Sequence, residues 1–456
     1  MVRTAVCGAA DEGSIPSGHP TRSYTPLMPK QPNVRRRPLT RDPGFLRLWA
    51  AETISHLGSS ITGIALPLVA ITTLAARPFE VAILTLADFL PFLLFGLIAG
   101  AAVDRLPHRG VLIFGDLGRA ALLLVIPLAY FTDLLSIPLL ICIGFLAGIL
   151  TVFFDVAYQS YLPTLIHKED LVEGNSKMEI SRSAASLVGP TLAGTLVTII
   201  AAPIAVLFDA ASFIFSALFV FSIRQHEPER TKRRTAAAAR VPRESFRSEI
   251  AAGVRFVFSN PLLRSIGGAT ATSNLFATAG TTLILLFAVR ELHLTPALVG
   301  LSFTLAGGGG LLAALVAGRI SKRLGVGRTI FFMIPLGGPM LVLVAFAQPG
   351  ADLLNMALFA LEGFFAVASG TIYNINQVSL RQAITPAPMQ GRMNATMRWF
   401  VWGTIPIGAL LGGLIGETLG LRAAIVIGGV GASFAFVPLL FGPVRSIVTM
   451  PKGPSR

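Results

Sequence analysis

Long uninterrupted apolar runs constrain this chain more than any other feature. Four of them, 79–103, 138–156, 203–223 and 356–375, approach or exceed the length at which an α-helix crosses a bilayer, which is about 20 residues. Only helices and closed barrels satisfy their backbone polar groups in lipid. These runs are continuous and do not alternate with polar residues, which favours helices over barrel strands. With 53% hydrophobic and 13% charged residues, the chain is not a pair of soluble domains.

The apolar pattern therefore predicts an all-α membrane protein with twelve transmembrane helices. The predicted spans are 45–74, 79–103, 110–131, 135–159, 177–201, 203–224, 261–289, 295–321, 328–347, 351–377, 394–419 and 421–443.

Basic residues concentrate in alternate loops. The loops after the second, fourth and eighth spans carry Arg105 and Arg109, Lys168, and Lys322. The loops on the other side hold few Lys or Arg, and the positive-inside rule then places both termini in the cytoplasm. We expect a multi-pass protein of the bacterial cytoplasmic (inner) membrane. This distribution accounts for the net charge of +14 without a nucleic-acid partner.

Composition divides the chain into five segments. The predicted division is a disordered cytoplasmic tail (1–40), a six-helix half (41–224), a basic cytoplasmic linker (225–255), a second six-helix half (256–445) and a cytoplasmic tail (446–456). Residues 244–258 are either part of a simple tether or an amphipathic helix on the inner leaflet. Either Met1 or Met28 can be the start of translation. Cys7 and Cys142 form neither a disulfide framework nor a metal cluster.

The two predicted halves are related by an internal repeat. A shift of 218 residues places several landmarks of the first half on their counterparts in the second. These are Asp42-Pro43 on Asn260-Pro261, Gly100 on Gly318, Arg105-Leu106 on Arg323-Leu324, Gln159 on Gln377, and Gly194 on Gly412. Six helices per repeat preserve the orientation, so the repeats are parallel and related by an axis along the membrane normal.

The loop after the second span carries the most specific motif. It reads Gly100-Ala-Ala-Val-Asp104-Arg105-Leu-Pro-His-Arg109 and resembles the signature of the major facilitator superfamily. A carboxylate at a helix end can meet another helix's N-terminus, and arginines can hold a carboxylate in a forked pair. An ordinary positive-inside loop is the alternative interpretation. The resemblance covers roughly residues 41–445 and implies two six-helix halves with a substrate site between them.

Within that superfamily the chain resembles the branch of macrolide and enterobactin exporters. The residues that carry this resemblance are Leu48-Trp49, Ser55-His56-Leu57-Gly58 and Ala65-Leu66-Pro67; Asp116 with Arg119-Ala120; Tyr158 to Pro163 after span four, with Asn175 and Gly189-Pro190; and Asp209 with Ser212-Phe213. The branch often carries an aspartate where this chain has Ser59. Glu52 lies seven residues earlier on the same helical face, and His56 lies between them.

Ionisable residues within the spans are costly and are candidates for function. We expect proton coupling at Glu52 with His56, then at Asp88, then at Glu362. The alternatives are that Glu52 reaches the nearby interface and that Asp88 and Glu362 are structural hydrogen-bond partners.

Other charged residues are expected to join helices. Asp116 with Arg119 and Glu179 with Arg182 are spaced to pair on one helical face. Asp155 is the expected partner of Arg105 or Arg109, and Asp209 is expected to cap or brace a neighbouring helix. The candidate residues of the substrate cavity are Ser59, Ser60, Thr62, Thr272, Ser273, Asn274, Tyr373 and Asn374, with Phe153, Phe154, Phe364 and Phe365 as possible apolar walls.

The resemblance thus implies a secondary transporter, expected to be a monomer, that exports a drug-like, macrolide-like or siderophore-like small molecule. It contains no phosphate-binding glycine loop, metal motif or hydrolase motif. We therefore expect no enzyme activity, no cofactor and no metal, with the proton gradient as the energy source and the lipid bilayer as surroundings. A nutrient importer or uniporter of the same fold and a non-transporting membrane scaffold are the alternatives.

Overall fold

The computed structural model describes residues 39–103, 106–167, 170–223, 246–386, 389–449 and 451. Across these residues the secondary structure is helical, and twelve helices are long and apolar enough to cross a membrane. The prediction of twelve spans is confirmed. Spans 1 to 12 are Pro43–Thr73, Pro78–Val103, His108–Phe131, Ile137–Leu165, Leu171–Ile200, Ala202–Ser222, Pro261–Arg290, Pro296–Leu324, Val326–Val344, Asp352–Ile384, Gln390–Leu419 and Leu421–Leu440.

The largest errors in the predicted boundaries concern spans 4, 5 and 10. Spans 4 and 10 continue to Leu165 and Ile384, and span 5 begins at Leu171. Polar residues at their ends made the apolar pattern stop early. The segment from Tyr158 to Pro163, expected after span 4, forms its last turns instead. Those polar side chains therefore lie within the helical bundle.

The repeat is visible in how the two halves begin. Asp42 accepts hydrogen bonds from the backbone N–H groups of Gly44 and Phe45, at 2.8 and 3.0 Å. Asn260 does the same for Leu262 and Leu263, at 3.0 and 3.3 Å. In each case a proline follows as the first helical residue, where its missing N–H costs nothing. Spans 1 and 7 are thus capped in the same way.

Several spans are interrupted. Span 7 breaks after Thr281, span 9 after Met333, span 11 at Gly403 and span 12 after Ser433. Irregular backbone at membrane depth is tolerated where it is buried in protein or lines a cavity. The break at Gly403 directly follows Trp402, whose side chain lines a cavity.

We call the two ends of the bundle the proximal side, where span 1 begins and span 12 ends, and the distal side, where spans 1 and 2 are joined. The buried apolar residues form one large cluster in the distal half, with members from both halves of the chain, including Phe213 and Leu286. Towards the proximal side the main clusters separate. One belongs to the first half, around Phe45 and Tyr161, and another to the second half, around Leu263. Among the described residues, the buried cluster that the two halves share thus lies near the distal side.

Glycines bring the halves together near the distal side. Spans 5 and 8 pack so closely that a Cβ atom on Gly194 would collide with the carbonyl oxygen of Pro296. A Cβ atom on Gly300 would collide with the carbonyl oxygen of Pro190. Spans 2 and 11 meet at Gly413, where an added Cβ would lie 3.3 Å from the Cα of Phe79. Small residues permit such close approach of helices in membranes.

A helix of the linker region, Phe246–Ser259, packs on the proximal part of span 11. Its Gly253 would, with a Cβ, lie 3.0 Å from the carbonyl oxygen of Arg392, and Val257 is buried. Phe258 meets Phe400 edge to face at 5.3 Å. One face of the helix thus binds protein, which neither a loose tether nor a helix lying only on lipid would do. The division of the chain into five segments stays a prediction, and most of the N-terminal tail and of the linker lies outside the described residues.

Candidate functional site

Two of the cavities in the described part of the chain lie between membrane spans in the proximal half of the bundle. The acidic cavity, of about 640 Å³, is bounded by spans 1, 4 and 5. The aromatic cavity, of about 300 Å³, is bounded by spans 2 and 4 of the first half and by span 11 of the second. Both have Asp155 and Gln159 of span 4 in their walls. Span 4 thus connects the two cavities, at the level where the halves no longer share a core.

Glu52 and His56 form the span 1 wall of the acidic cavity. Glu52 is 4% exposed, and its Oε2 lies 3.4 Å from Nε2 of His56. The other oxygen, Oε1, is buried and has no hydrogen-bond partner among the described residues. The His56 side chain is 37% exposed. The pair therefore joins a buried, incompletely satisfied carboxyl group to an imidazole that is open to the cavity.

Asp155 stands in the shared wall. It has neither an ion-pair nor a hydrogen-bond partner among the described residues, and the cations that act on it are Arg119, Arg398 and Arg182. We predicted a pair with Arg105 or Arg109. The prediction is wrong for Arg109, which donates to the carbonyl oxygens of Val220 and Phe221 at the end of span 6, and Arg105 lies outside the described residues.

The aromatic cavity is named for the rings in its walls. Span 2 contributes Phe89 and Phe92, and span 11 contributes Trp399 and Trp402. Phe92 meets Trp402 edge to face at 6.1 Å, and the guanidinium of Arg398 lies 4.3 Å from the centre of the Trp402 ring. Gly403, where the regular helix of span 11 is interrupted, directly follows Trp402 of the cavity wall.

Asp116 and Arg119, both on span 3, form a buried ion pair at 2.6 Å. Ser216 of span 6 donates to the second oxygen of Asp116, at 2.6 Å. The Arg119 guanidinium is held between the rings of Phe154 and Phe213, at 4.2 and 4.1 Å from their centres. Every charge in this cluster is compensated, as buried charges require, and the cluster ties spans 3, 4 and 6 together.

Glu179 and Arg182 also pair, at 2.9 Å, but in a different setting. Both side chains are 60% exposed and stand in the wall of the acidic cavity. We predicted that this pair joins helices. The pair instead lies along span 5 alone, so the prediction is corrected: its charges face the cavity.

The remaining candidates for coupling lie elsewhere. Asp88 is exposed in span 2, opposite Gly144 of span 4, and has no hydrogen-bond or ion-pair partner among the described residues. Glu362 is 7% exposed in span 10, outside the walls of both cavities, and it too has no hydrogen-bond or ion-pair partner in the described part of the chain. Asp209 braces spans 1 and 6: it accepts from Ser212 at 3.0 Å and lies against Gly58.

The motif after span 2 is only partly described. Gly100 lies in the last turns of span 2, whereas Asp104 and Arg105 lie outside the described residues. The expectation that the Asp104 carboxylate meets the N-terminus of another helix stays a prediction.

The residues expected to line the substrate cavity do not line either cavity. Ser59 is exposed, Ser60 and Thr272 donate to carbonyl oxygens of their own helices, and Thr62 lies beside Asp209 without a well-formed hydrogen bond. The others join helices or neighbours: Asn274 donates to the Val401 carbonyl at 3.1 Å, buried Tyr373 bonds Thr270 at 2.6 Å, and Asn374 accepts from Gln377 at 3.0 Å. Polarity within a span was the only criterion for choosing them. Backbone and helix–helix contacts account for much of that polarity.

The sequence analysis missed residues of span 11. Arg398, between Met397 and Trp399, is a lone arginine in a predicted span, which is the signal that singled out the carboxylates. Tyr158 and Gln159 lie at the predicted end of span 4 and were not among the predicted cavity residues, yet both line the acidic cavity. Among the described residues, no group of three or more His, Cys, Asp or Glu could hold a metal ion.

The comparisons with known proteins agree with this architecture. The family model described as "Transmembrane secretion effector" matches residues 37–451. The multidrug efflux pump Tap of Mycolicibacterium fortuitum is 27% identical over 407 residues, covering 86% of this chain and 92% of that protein. The enterobactin exporter EntS of Citrobacter koseri is 26% identical over 388 residues, covering 82% and 86%.

One solved structure shows the same fold. It is a bacterial homologue of the iron transporter ferroportin in an inward-facing state, with a TM-score of 0.70 at 16% identity over 89% of this chain and 99% of that one.

Proposed function

The chain belongs to the transmembrane secretion effector family of the major facilitator superfamily, and from this premise we propose that it exports a drug-like, macrolide-like or siderophore-like compound in exchange for protons. The family and the relatives are membrane transporters, not enzymes, and this chain is a multi-pass membrane transporter. Substrate, direction and energy source are the parts that we propose.

One observation carries the proposal: the buried carboxyl group of Glu52 lies in the wall of the acidic cavity, and one of its oxygens has no hydrogen-bond partner among the described residues. A buried polar group without a partner costs stability and is retained for a reason other than packing. Asp116, equally buried, is fully paired and shows how this fold satisfies a structural acid. Glu52 is the acid that can exchange a proton through the half-exposed His56.

Alternating access supplies the rest of the mechanism. The halves share a core near the distal side and separate towards the proximal side, which is the arrangement of a transporter open on one side. Rocking of the halves would close the proximal cavities and open the distal seam between spans 5 and 8 and between spans 2 and 11. Protonation of Glu52 from one side and release to the other would then drive the substrate in the opposite direction.

Orientation follows from charge. The loops with most Lys and Arg lie on the proximal side, so we propose that this side and both termini face the cytoplasm of a bacterial cell. The protein would act as a monomer in the cytoplasmic membrane. Export is favoured over import because Tap and EntS, which are similar along most of the chain, carry the names of an efflux pump and an exporter.

Transport in proteoliposomes with an imposed pH gradient tests the proposal, using ethidium and a panel of fluorescent amphipathic compounds. Glu52→Gln keeps the shape of the side chain and removes its proton exchange. We expect it to abolish accumulation against a gradient while sparing binding and downhill exchange. The matched control is Glu173→Gln, since Glu173 is a half-exposed acid paired with Lys177 at 3.4 Å outside both cavities.

Each outcome has a consequence. Gradient-driven transport at the parent rate in Glu52→Gln would remove Glu52 from the mechanism and leave Asp88 and then Glu362 as candidates. Transport by the parent protein that never exceeds equilibration would favour a uniporter. No transport of any compound would favour a scaffold.

A further inference from the structure

Arg398 is a cationic side chain within span 11. It lies about 12 Å along span 11 from Gln390, at 1.5 Å per residue, and its side chain lines the aromatic cavity. It makes no hydrogen bond or ion pair with any described residue, and its one recorded contact is the ring of Trp402. A stacked guanidinium keeps the N–H groups along its edge free for an acceptor. An unpaired arginine within a span is costly, and a bound anionic group would pair with it.

The opposite wall of the same cavity carries the opposite charge. Asp155 lies on span 4, in the first half of the chain, whereas Arg398 lies on span 11, in the second. The two charges act on each other, yet they are too far apart for an ion pair, which would require a nitrogen–oxygen distance of 4.0 Å or less. The cavity is therefore a gap between an anionic wall and a cationic wall.

Aromatic rings fill the space around this gap. Phe89, Phe92 and Trp402 offer faces and edges on which a planar ligand can stack. A ligand with one charge would satisfy one wall and leave the other desolvated and unpaired, which is unfavourable. A ligand with an acidic and a basic group at opposite ends of an aromatic body satisfies both walls.

We propose that the aromatic cavity binds a zwitterionic aromatic compound, with its anionic group on Arg398 and its cationic group on Asp155. This inference rests on the proposed function only in taking the cavity to be part of the substrate path. It narrows the substrate from amphipathic compounds in general to those that carry both charges. Each half of the transporter then supplies one charged side chain to the site, so that a bound molecule bridges the two halves.

Binding to the purified protein in lipid nanodiscs, without any gradient, tests the inference. Three fluorescent probes share one aromatic body: norfloxacin is zwitterionic, its methyl ester lacks the carboxylate, and its N-acetyl derivative lacks the basic amine. We expect norfloxacin to bind at least about tenfold more tightly than either derivative, since a hydrogen bond between charged groups contributes at least that factor. Quenching of tryptophan fluorescence provides the readout, because Trp399 and Trp402 lie in the cavity.

Two variants test which protein side chain binds which charged group of norfloxacin. Arg398→Gln should weaken norfloxacin to the level of its methyl ester and leave the ester's own affinity unchanged. Asp155→Asn should weaken norfloxacin to the level of the N-acetyl derivative and leave that derivative unchanged. Arg264→Gln is the matched control, because Arg264 is exposed at the start of span 7 and lines neither cavity.

Three results would overturn the inference: absence of norfloxacin binding, equal binding of the three probes, or a uniform loss of all three in Arg398→Gln. The last would show that Arg398 and Asp155 act on the conformation of the protein, by pairing directly when the proximal side closes. The test also separates the inference from the proposed function. Selective binding of norfloxacin without gradient-driven transport would uphold the zwitterion site and reject proton-coupled export. Gradient-driven transport with equal binding of the three probes would uphold proton-coupled export and reject the zwitterion site.

Discussion

The distal closure depends on backbone contact at Gly300, which makes Gly300→Ala a sharp perturbation. A Cβ atom there would lie 3.0 Å from the carbonyl carbon of Pro190 and 3.2 Å from the Cα of Gly194, and closer still to the Pro190 oxygen. These are backbone atoms of span 5, so no side chain can rotate away. Spans 5 and 8 have to separate, and Gly300→Ala should favour the state in which the distal side is open.

The magnitude follows from two terms. Alanine favours a helix over glycine by about 1 kcal/mol, but span 8 is helical in both states, so this term cancels. Overpacking costs about 1–3 kcal/mol and applies only when the distal side is closed. The ratio of distal-open to distal-closed protein should therefore rise by about 5- to 150-fold.

Labelling of a cysteine at Thr191 measures this ratio. Thr191 is half-buried in the seam and its hydroxyl donates to Thr304 of span 8 at 2.7 Å. On a background with Cys7 and Cys142 replaced by serine, Thr191→Cys should react with a hydrophilic maleimide faster in Gly300→Ala than in the parent. Gly308→Ala, in the same helix with no atom within 4 Å of the added Cβ, should not change the rate. Equal labelling in Gly300→Ala and Gly308→Ala would refute the steric argument.

Three other changes have distinct expected results. Glu417→Gln removes an exposed ion pair with Arg77 on the distal side, where the two side chains are 4.0 Å apart. Because exposed ion pairs contribute about 0–1 kcal/mol, this change should affect the labelling rate of Thr191→Cys far less than Gly300→Ala does. A larger effect would make this ion pair the main distal contact. Arg119→Met leaves the buried Asp116 without its cation and should destabilise the protein by about 3–5 kcal/mol. The unfolding temperature in detergent should fall, and the double variant Asp116→Asn/Arg119→Met should recover part of the loss. An unchanged unfolding temperature would contradict the structural role of the pair. Gly253→Leu should detach the helix Phe246–Ser259 from span 11, because the Cβ of the new leucine would press on the Arg392 carbonyl. Proteolysis of that helix should then be faster. Gly391→Ala should not speed it, because the added Cβ lies in open space.

The fold was predictable because a bilayer leaves few solutions. Twelve apolar runs had to be helices, and the repeated caps at Asp42 and Asn260 mark the start of each half in sequence and structure alike. The charged pair Asp116–Arg119 was predictable for the same local reason, since residues three apart on a helix are neighbours. Local spacing and hydrophobicity suffice for features of this kind.

The cavities were not predictable in the same way. A polar residue in a span can bond its own helix, as Ser60 does, or another helix, as Asn274 does, and sequence does not distinguish these from a cavity wall. Asp155 and Arg398 are separated by most of the chain and share a cavity only because spans 4 and 11 meet there. Such long-range placement is a property of the tertiary packing.

The position of Glu52 relative to Ser59 links coupling to substrate binding. Seven residues along a helix are about 10 Å, so an acid at Glu52 lies nearer to the proximal opening than an acid at Ser59 would. At that level span 1 faces Asp155 and Tyr158 of span 4 across the acidic cavity. A change of charge on Glu52 or His56 therefore acts on the same wall that the proposed zwitterion site uses for its cationic group. Proton exchange at Glu52 and ligand binding at Asp155 would then compete through one carboxylate-lined wall, which is the antagonism between proton and substrate that an exchanger requires.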